Sequence, residues 1–265
     1  MPTLVMPRRY GAVNWRGLWT LCLKDLLRAR KNFRYSVLGP VVSNLLFLAV
    51  FALAQGGTGP YVGGLTFLQF LVPGLIIFAV CEAAYSTSSE SLLFDKMEGM
   101  IADTLMAPLT PMELTIGYAC SSAMMGLITG AAVAFPMLFV VDLPIASLPL
   151  ILLFAAGGAL MHGLLGIIVG LWSERWDHHA AALTFIVIPF GFLSGTFYSV
   201  ASLPALAERV ARLNPVFYVI DGFRAGSTGH ADGSPVAGII VVTLVVLALA
   251  VCAHSLFRIG YRLKP

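Results

Sequence analysis

Few side chains in this 265-residue sequence have the type and spacing that chemistry requires. Binding and cleaving ATP takes a P-loop, whose lysine follows a glycine so that backbone amides and the ammonium cradle phosphates together. The four lysines here follow Leu23, Arg30, Asp95 and Leu263, so no Walker A motif exists. Intramembrane serine catalysis would draw on Ser194 and His254. The stretch Gly191-Phe192-Leu193-Ser194-Gly195 is one residue too long for a Gly-x-Ser-Gly motif, and a serine in a glycine-rich kink is the plainer reading. His178 and His179 follow Glu174 and Asp177, yet neighbouring histidines point to different helix faces and no HExxH is present. His162 stands alone in an apolar run, placed to hydrogen-bond a neighbouring helix. No catalytic, metal or cofactor-binding residues are assigned. Glu82 is different, because an ionisable group inside an apolar run is costly and marks a functional position by default. Lining a polar path, taking up a proton and pairing near a membrane interface are all open to it.

The elements that must position these groups are apolar. Hydrophobic residues make up 58% of the chain and charged ones 11%, against about 25% in soluble domains. With a mean hydropathy of +0.89, a water-soluble enzyme and a disordered chain are both excluded. A net charge of +3 is too small to argue for nucleic acid. Cys22, Cys81, Cys120 and Cys252 lie far apart without a CxxC pair and read as reduced, buried apolar residues. The basic N-terminal segment lacks the short apolar run and cleavage site of a signal peptide.

About 20 apolar residues cross a bilayer. The charge-free runs place spans near 36–55, 65–89, 114–141, 145–172, 180–199 and 235–257, with Gln55-Gly56-Gly57-Thr58-Gly59-Pro60 turning the chain between the first two. The expected fold is therefore an all-α integral membrane protein, one transmembrane domain over 1–265 with six transmembrane helices. An even number puts both termini on one side. With that side cytoplasmic, all Lys and Arg but Arg209, Arg212 and Arg224 fall inside, as the positive-inside rule asks.

Three segments lie outside the spans. Over 14–34, Trp15, Trp19, Cys22, Leu26, Ala29 and Phe33 share one face opposite Lys24, Arg28 and Lys31. That is an amphipathic interface helix, its cations set for anionic lipid or a protein partner. Over 202–226, Ser202 is a natural N-cap, Leu203, Leu206, Val210 and Leu213 form a stripe, and Asn214-Pro215 ends the helix. The apolar stretch that follows is too short to cross, so 202–226 reads as a pair of short outer-face helices. The longest inner loop, Glu90 to Glu113, holds a helical pattern over 95–106 whose apolar residues have no membrane to enter. Met97, Met100, Ile101 and Leu105 fall on one helical stripe, which suggests a protein partner.

The wording of several stretches resembles the membrane subunits of type-2 ATP-binding-cassette exporters, the family with nodulation-factor, polysaccharide and drug-export members. The matching stretches are Phe70-Leu71-Val72-Pro73-Gly74-Leu75; Glu98-Gly99 with Met106-Ala107-Pro108-Leu109-Thr110; Leu193 to Val200 with Leu203-Pro204; and Asn214-Pro215 through Asp221 to Arg224. They extend over nearly the whole chain, and the last two are the most specific. The resemblance implies a non-catalytic permease in a bacterial inner membrane, both termini cytoplasmic, working as a homodimer with two nucleotide-binding ATPase subunits that hold ATP and magnesium. The 95–106 helix would then be a coupling helix. Met97, Met100, Ile101 and Leu105 would enter an ATPase groove, with Glu98 at its rim and Gly99 and Pro108 framing the turn. Asn214, Pro215, Asp221 and Arg224 would form an outer-face cap, and Glu82 would lie on the transport path. The cargo is open among lipid-like, glycolipid or polysaccharide, and hydrophobic drug-like molecules. The competing class is a stand-alone secondary transporter or channel. It would call for more intramembrane charge than Glu82 and for inverted repeats, which the sequence does not display.

Overall fold

The computed structural model of the chain describes residues 13–55 and 60–263. The expected turn at 56–59 and the basic residues Arg8, Arg9 and Lys264 lie outside the described residues. The helices, in order, are α1 (Trp15–Lys31), α2 (Gly39–Gln55), α3 (Phe67–Met97), α4 (Ile101–Met106), α5 (Pro111–Met137), α6 (Leu148–Trp172), α7 (Trp176–Ala182), α8 (Ile188–Phe192), α9 (Ala205–Leu213), α10 (Pro215–Thr228) and α11 (Pro235–Ile259). A minimal antiparallel hairpin of β1 (Pro60–Val62) and β2 (Leu65–Thr66) leads into α3, turning on Gly63 and Gly64, both at positive φ.

Helix boundaries follow side-chain chemistry. Thr66 and Gln69 form a reciprocal capping box at the start of α3, and Thr110 and Glu113 form another at α5, where Pro111 takes the first helical position. Asn214 accepts from the Val216 N–H at 3.0 Å and starts α10 where α9 stops, and Gly229 at φ 77° closes it.

Among the described residues, five helices are long and apolar enough to cross a membrane: Arg34–Ala54, Phe67–Met97, Pro111–Met137, Leu148–Trp172 and Pro235–Ile259. They cover five of the six expected spans. The helix expected over 180–199 instead occupies 176–192, as α7 and α8 joined by a wide π turn at Leu183–Val187. Its 17 helical residues reach about 26 Å, and the turn beyond them carries the chain from His179, beside Ser89 near one end of α3, to Gly195, which shares Arg224 with Phe70 near the other. A second π turn, Arg34–Leu38, precedes α2. Both have one cause. Pro40 and Pro189 lack the N–H that would satisfy the carbonyls of Ser36 and Phe185 four residues back, and each turn widens at that residue.

The core is a bundle in which α3 packs between α5 and α6, while α2 and α11 lie at the periphery. Of the apolar window in α3, 72% is buried, against 17% in α2 and in α11, so the two outer helices carry the surface left for lipid. The α3–α6 seam depends on small residues. Ser88 Oγ donates to Gly163 O at 2.7 Å, and a Cβ at Gly166 would collide with the Ser88 hydroxyl and the Tyr85 carbonyl. Gly166→Leu should therefore force α6 off α3 and abolish the folded protein, read as loss of the monodisperse peak in detergent; an unchanged peak and melting transition would contradict this packing.

Candidate functional site

The end of the bundle that carries α1 holds the residues expected to meet a partner, and the helix there is not continuous. α3 runs on through Met97, Glu98 caps it, and Gly99 takes φ 72°, so that α4 starts afresh at Ile101. The stripe expected from 95–106 is thereby broken. A left-handed residue redirects the chain, so Met97 and Leu105 no longer share a helical face. Ile101 is a further correction, because it is 7% exposed and packed in the core with Leu21, Leu92 and Leu114. Met97, Glu98, Met100, Leu105, Met106 and Pro108 are exposed, with Met106 at 76%.

Both feet of this turn are tied to α1. On the α3 side, Asp95 is buried at 1% exposure and pairs with Lys24, with Arg28 Nη2 at 3.0 Å and with the Tyr118 hydroxyl at 3.3 Å. The Arg28 guanidinium also lies over the Phe94 ring, 4.7 Å from its centroid. On the α5 side, the Asn14 N–H donates to Glu113 Oε1 at 2.5 Å, and Asn14 Nδ2 donates to Pro108 O at 3.1 Å. Between them, buried Asp25 accepts from Ser91 Oγ at 2.6 Å and Ser121 Oγ at 2.8 Å. Burial pushes the Asp25 carboxyl up from its ordinary value, while the two hydroxyls and the charges of Lys24 and Arg28 pull it back. Lys24 and Arg28 thus turn inward, where the sequence led us to expect cations on lipid or on another protein. The expected apolar face of α1 also divides: Trp15 and Trp19 are exposed, and Cys22 is buried against Gly117. Lys96 donates to Leu171 O at 2.8 Å and to Ser173 O, which pins the same end of α3 to α6.

At the opposite end, α10 forms a lock: Pro215 takes its first position, and Asn214, Asp221 and Arg224 each bond a different neighbouring segment. Arg224 is 1% exposed, donates to Phe70 O at 3.2 Å and Gly195 O at 2.7 Å, and stacks over Phe70 at 3.7 Å from the ring centroid. Asp221 accepts the N–H groups of Asp232 and Gly233 at 2.8 and 2.9 Å. Asn214 Nδ2 donates to Phe190 O and Ser194 Oγ, which binds the Ser194 hydroxyl into this lock. Ser202 sits in a short 3-10 turn before α9, donating to Ser199 O at 2.7 Å rather than capping the helix; Pro204 enforces that break. α10 stops at Thr228 and is too short to cross.

Between the two ends, a cavity of about 790 Å³ opens beside α2, α3, α7 and α8, and Glu82 lines it. Both π turns border it, through Tyr35, Ser36 and Leu183. His162 bonds the Gly158 carbonyl of its own helix at 3.0 Å, not a neighbouring helix. His178 and His179 diverge: the first accepts from the Glu174 N–H at 3.3 Å, and the second meets Ser89 Oγ at 3.0 Å.

Known proteins share this sequence pattern. Residues 16–227 match the family described as ABC-2 type transporter. The chain is 28% identical over 250 residues to the inner membrane transport permease YadH of Escherichia coli (strain K12), covering 94% of this chain and 98% of that one. It is 27% identical over 258 residues to nodulation protein J of Rhizobium leguminosarum bv. trifolii, covering 94% and 96%.

Proposed function

The chain belongs to the ABC-2 type transporter family and is a transport permease subunit rather than an enzyme, and from that premise we propose that it is the membrane half of an ATP-driven exporter. Two copies pair in a bacterial inner membrane and bind two ATPase subunits, which hold the ATP and magnesium. The turn from Met97 to Pro108 is the transmission element. The observation that carries this reading is a short exposed apolar turn whose two feet are both clamped to α1 by buried polar contacts. An unpartnered surface loop would have no need of such rigidity. Force from a moving ATPase would pass through Asp95 and Glu113 into α1, α3 and α5 together, and the permease must have two packings close in free energy for ATP to choose between them. Co-purification of the permease with its ATPase, followed by cargo-stimulated ATP hydrolysis in nanodiscs, tests the reading. Failure of the two to associate would return the stand-alone transporter.

The same proposal places both termini and α4 in the cytoplasm and the α9–α10 lock outside. Single-cysteine labelling in intact cells, with the four native cysteines replaced by serine, should modify position 230 and spare position 100 when the reagent is impermeant. Labelling at 100 without labelling at 230 would invert the topology.

A further inference from the structure

We infer that the cavity beside Glu82 binds a hydrophobic organic cation, so that the cargo is an amphipathic cation and not an acidic polymer. The word cargo rests on the proposed permease function; the binding site itself does not. At about 790 Å³ the cavity falls within the range that encloses drug-sized molecules. One wall is a continuous run of aromatic rings. Phe78 and Phe192 lie 5.6 Å apart between centroids, Phe192 and Phe197 5.1 Å, and Phe197 and Phe47 6.2 Å. Ring faces carry negative charge density and attract cations. Glu82 stands one helical turn beyond Phe78 on α3, so carboxylate and ring share a face.

The charges lining the cavity decide the sign of the ligand. Asp25, Arg28, Glu82 and Glu90 all line it. Arg28 is committed to Asp95 at 3.0 Å, Asp25 to two serine hydroxyls, and Glu90 faces His179 at 3.6 Å. Glu82 makes no hydrogen bond or ion pair among the described residues, so nothing described in the chain competes with a ligand for its carboxyl group. Neutral polar groups also reach the cavity: the Asn44 amide and the Thr87 hydroxyl are bonded to carbonyls of their own helices, Pro40 O and Ala83 O, while Asn32, Tyr35, Ser43 and Ser86 leave polar groups for the polar end of a ligand. An unpartnered carboxyl group beside aromatic rings in a low-dielectric site selects a cation with an apolar body, whose arrival holds the carboxylate ionised, and disfavours an anion, which would meet the ring faces and the carboxylate as like charge.

The test uses the full chain in nanodiscs of zwitterionic lipid with two probes of the same shape and opposite charge, tetraphenylphosphonium and tetraphenylborate. Saturable binding, followed by equilibrium dialysis or by Trp176 fluorescence, is expected for the cation and should be about tenfold or more weaker for the anion. Glu82→Gln should weaken cation binding by about tenfold, Glu82→Asp should retain most of it, and Glu90→Gln should change it less than about threefold. Phe192→Leu, at an exposed ring, should weaken it severalfold and serves if Glu82→Gln does not fold. Equal binding of both probes, no saturable binding of the cation, or unchanged affinity in Glu82→Gln and Phe192→Leu would overturn the site. Stimulation of ATP turnover by tetraphenylphosphonium in the permease–ATPase complex is the separate arm for transport. Binding without stimulation overturns the cargo assignment and leaves the site standing.

Discussion

A Leu105→Asp, Met106→Asp double variant is expected to fold normally and to lose its ATPase subunit on co-purification. Both side chains are exposed in α4, so neither substitution opens a cavity or buries a charge within the permease. Apolar anchors at the centre of an interface are worth roughly 2 kcal/mol or more each on truncation, and carboxylates in their place add desolvation. Two such losses weaken binding by about a thousandfold, enough to empty a complex that survives purification at micromolar concentration. Glu98→Lys should do less, because a rim charge mainly alters association rate and salt dependence. Ile101→Asp is the contrasting variant. Its side chain is in the core with Leu21 and Leu114, so it should destabilise the permease itself and shift the melting transition in detergent. A double variant that keeps both its ATPase and stimulated turnover would show that α4 is not the transmission element.

The break in α4 explains why the docking surface differs from the one the sequence led us to expect. Periodicity alone made 97, 100, 101 and 105 one stripe, yet Glu98-Gly99 already carried a helix-stop signal, since glycine just past a helix end readily takes the left-handed conformation. The membrane-spanning apolar runs were legible because bilayer thickness fixes the length of a span whatever it packs against. The fifth span was legible in position but not in form. Its π turn depends on how Phe185 O is left by Pro189, a backbone effect that hydropathy does not register. The family resemblance singled out Asn214, Pro215, Asp221 and Arg224 but carried no geometry for the α10 lock. The contacts Arg224 makes with Phe70 and Gly195 cross 154 and 29 positions. Glu82 was legible on the cost of an intramembrane charge alone; the aromatic wall beside it came from three separate helical segments and a turn, and could be assembled only in space.

The joint between α1 and Asp95 left no local trace, because its partners lie 71 and 67 positions apart, and it yields the second large effect. Asp95→Asn keeps the shape of the side chain and removes the charge, depriving Lys24 and Arg28 of the carboxylate they share. Removing one member of a fully buried pair costs about 3–5 kcal/mol and of an exposed pair less than about 1. Here the carboxylate is 2% exposed but the cations are 32% and 29% exposed, so water screens the orphaned charges and about 2 kcal/mol is the reasonable expectation. A bias of that size is roughly 30-fold in a two-state equilibrium, as much as a modest effector supplies. The variant should therefore bind the ATPase normally, since the α4 surface is untouched, and lose most of its cargo-stimulated turnover, since the ion pair nearest the turn no longer couples α1 to α3, leaving on that side the Ser91 contacts with Asp25 and Arg28 and the Phe94 ring beneath Arg28. Exchanging the charges in Lys24→Asp, Asp95→Lys should restore part of the stimulation if the ion pair itself transmits the movement. Full stimulation in Asp95→Asn, with a melting transition matching the parent, would mean that the joint carries no force, and the contacts of Asn14 with Glu113 and Pro108 would then be the ties left to transmit movement between α1 and the turn.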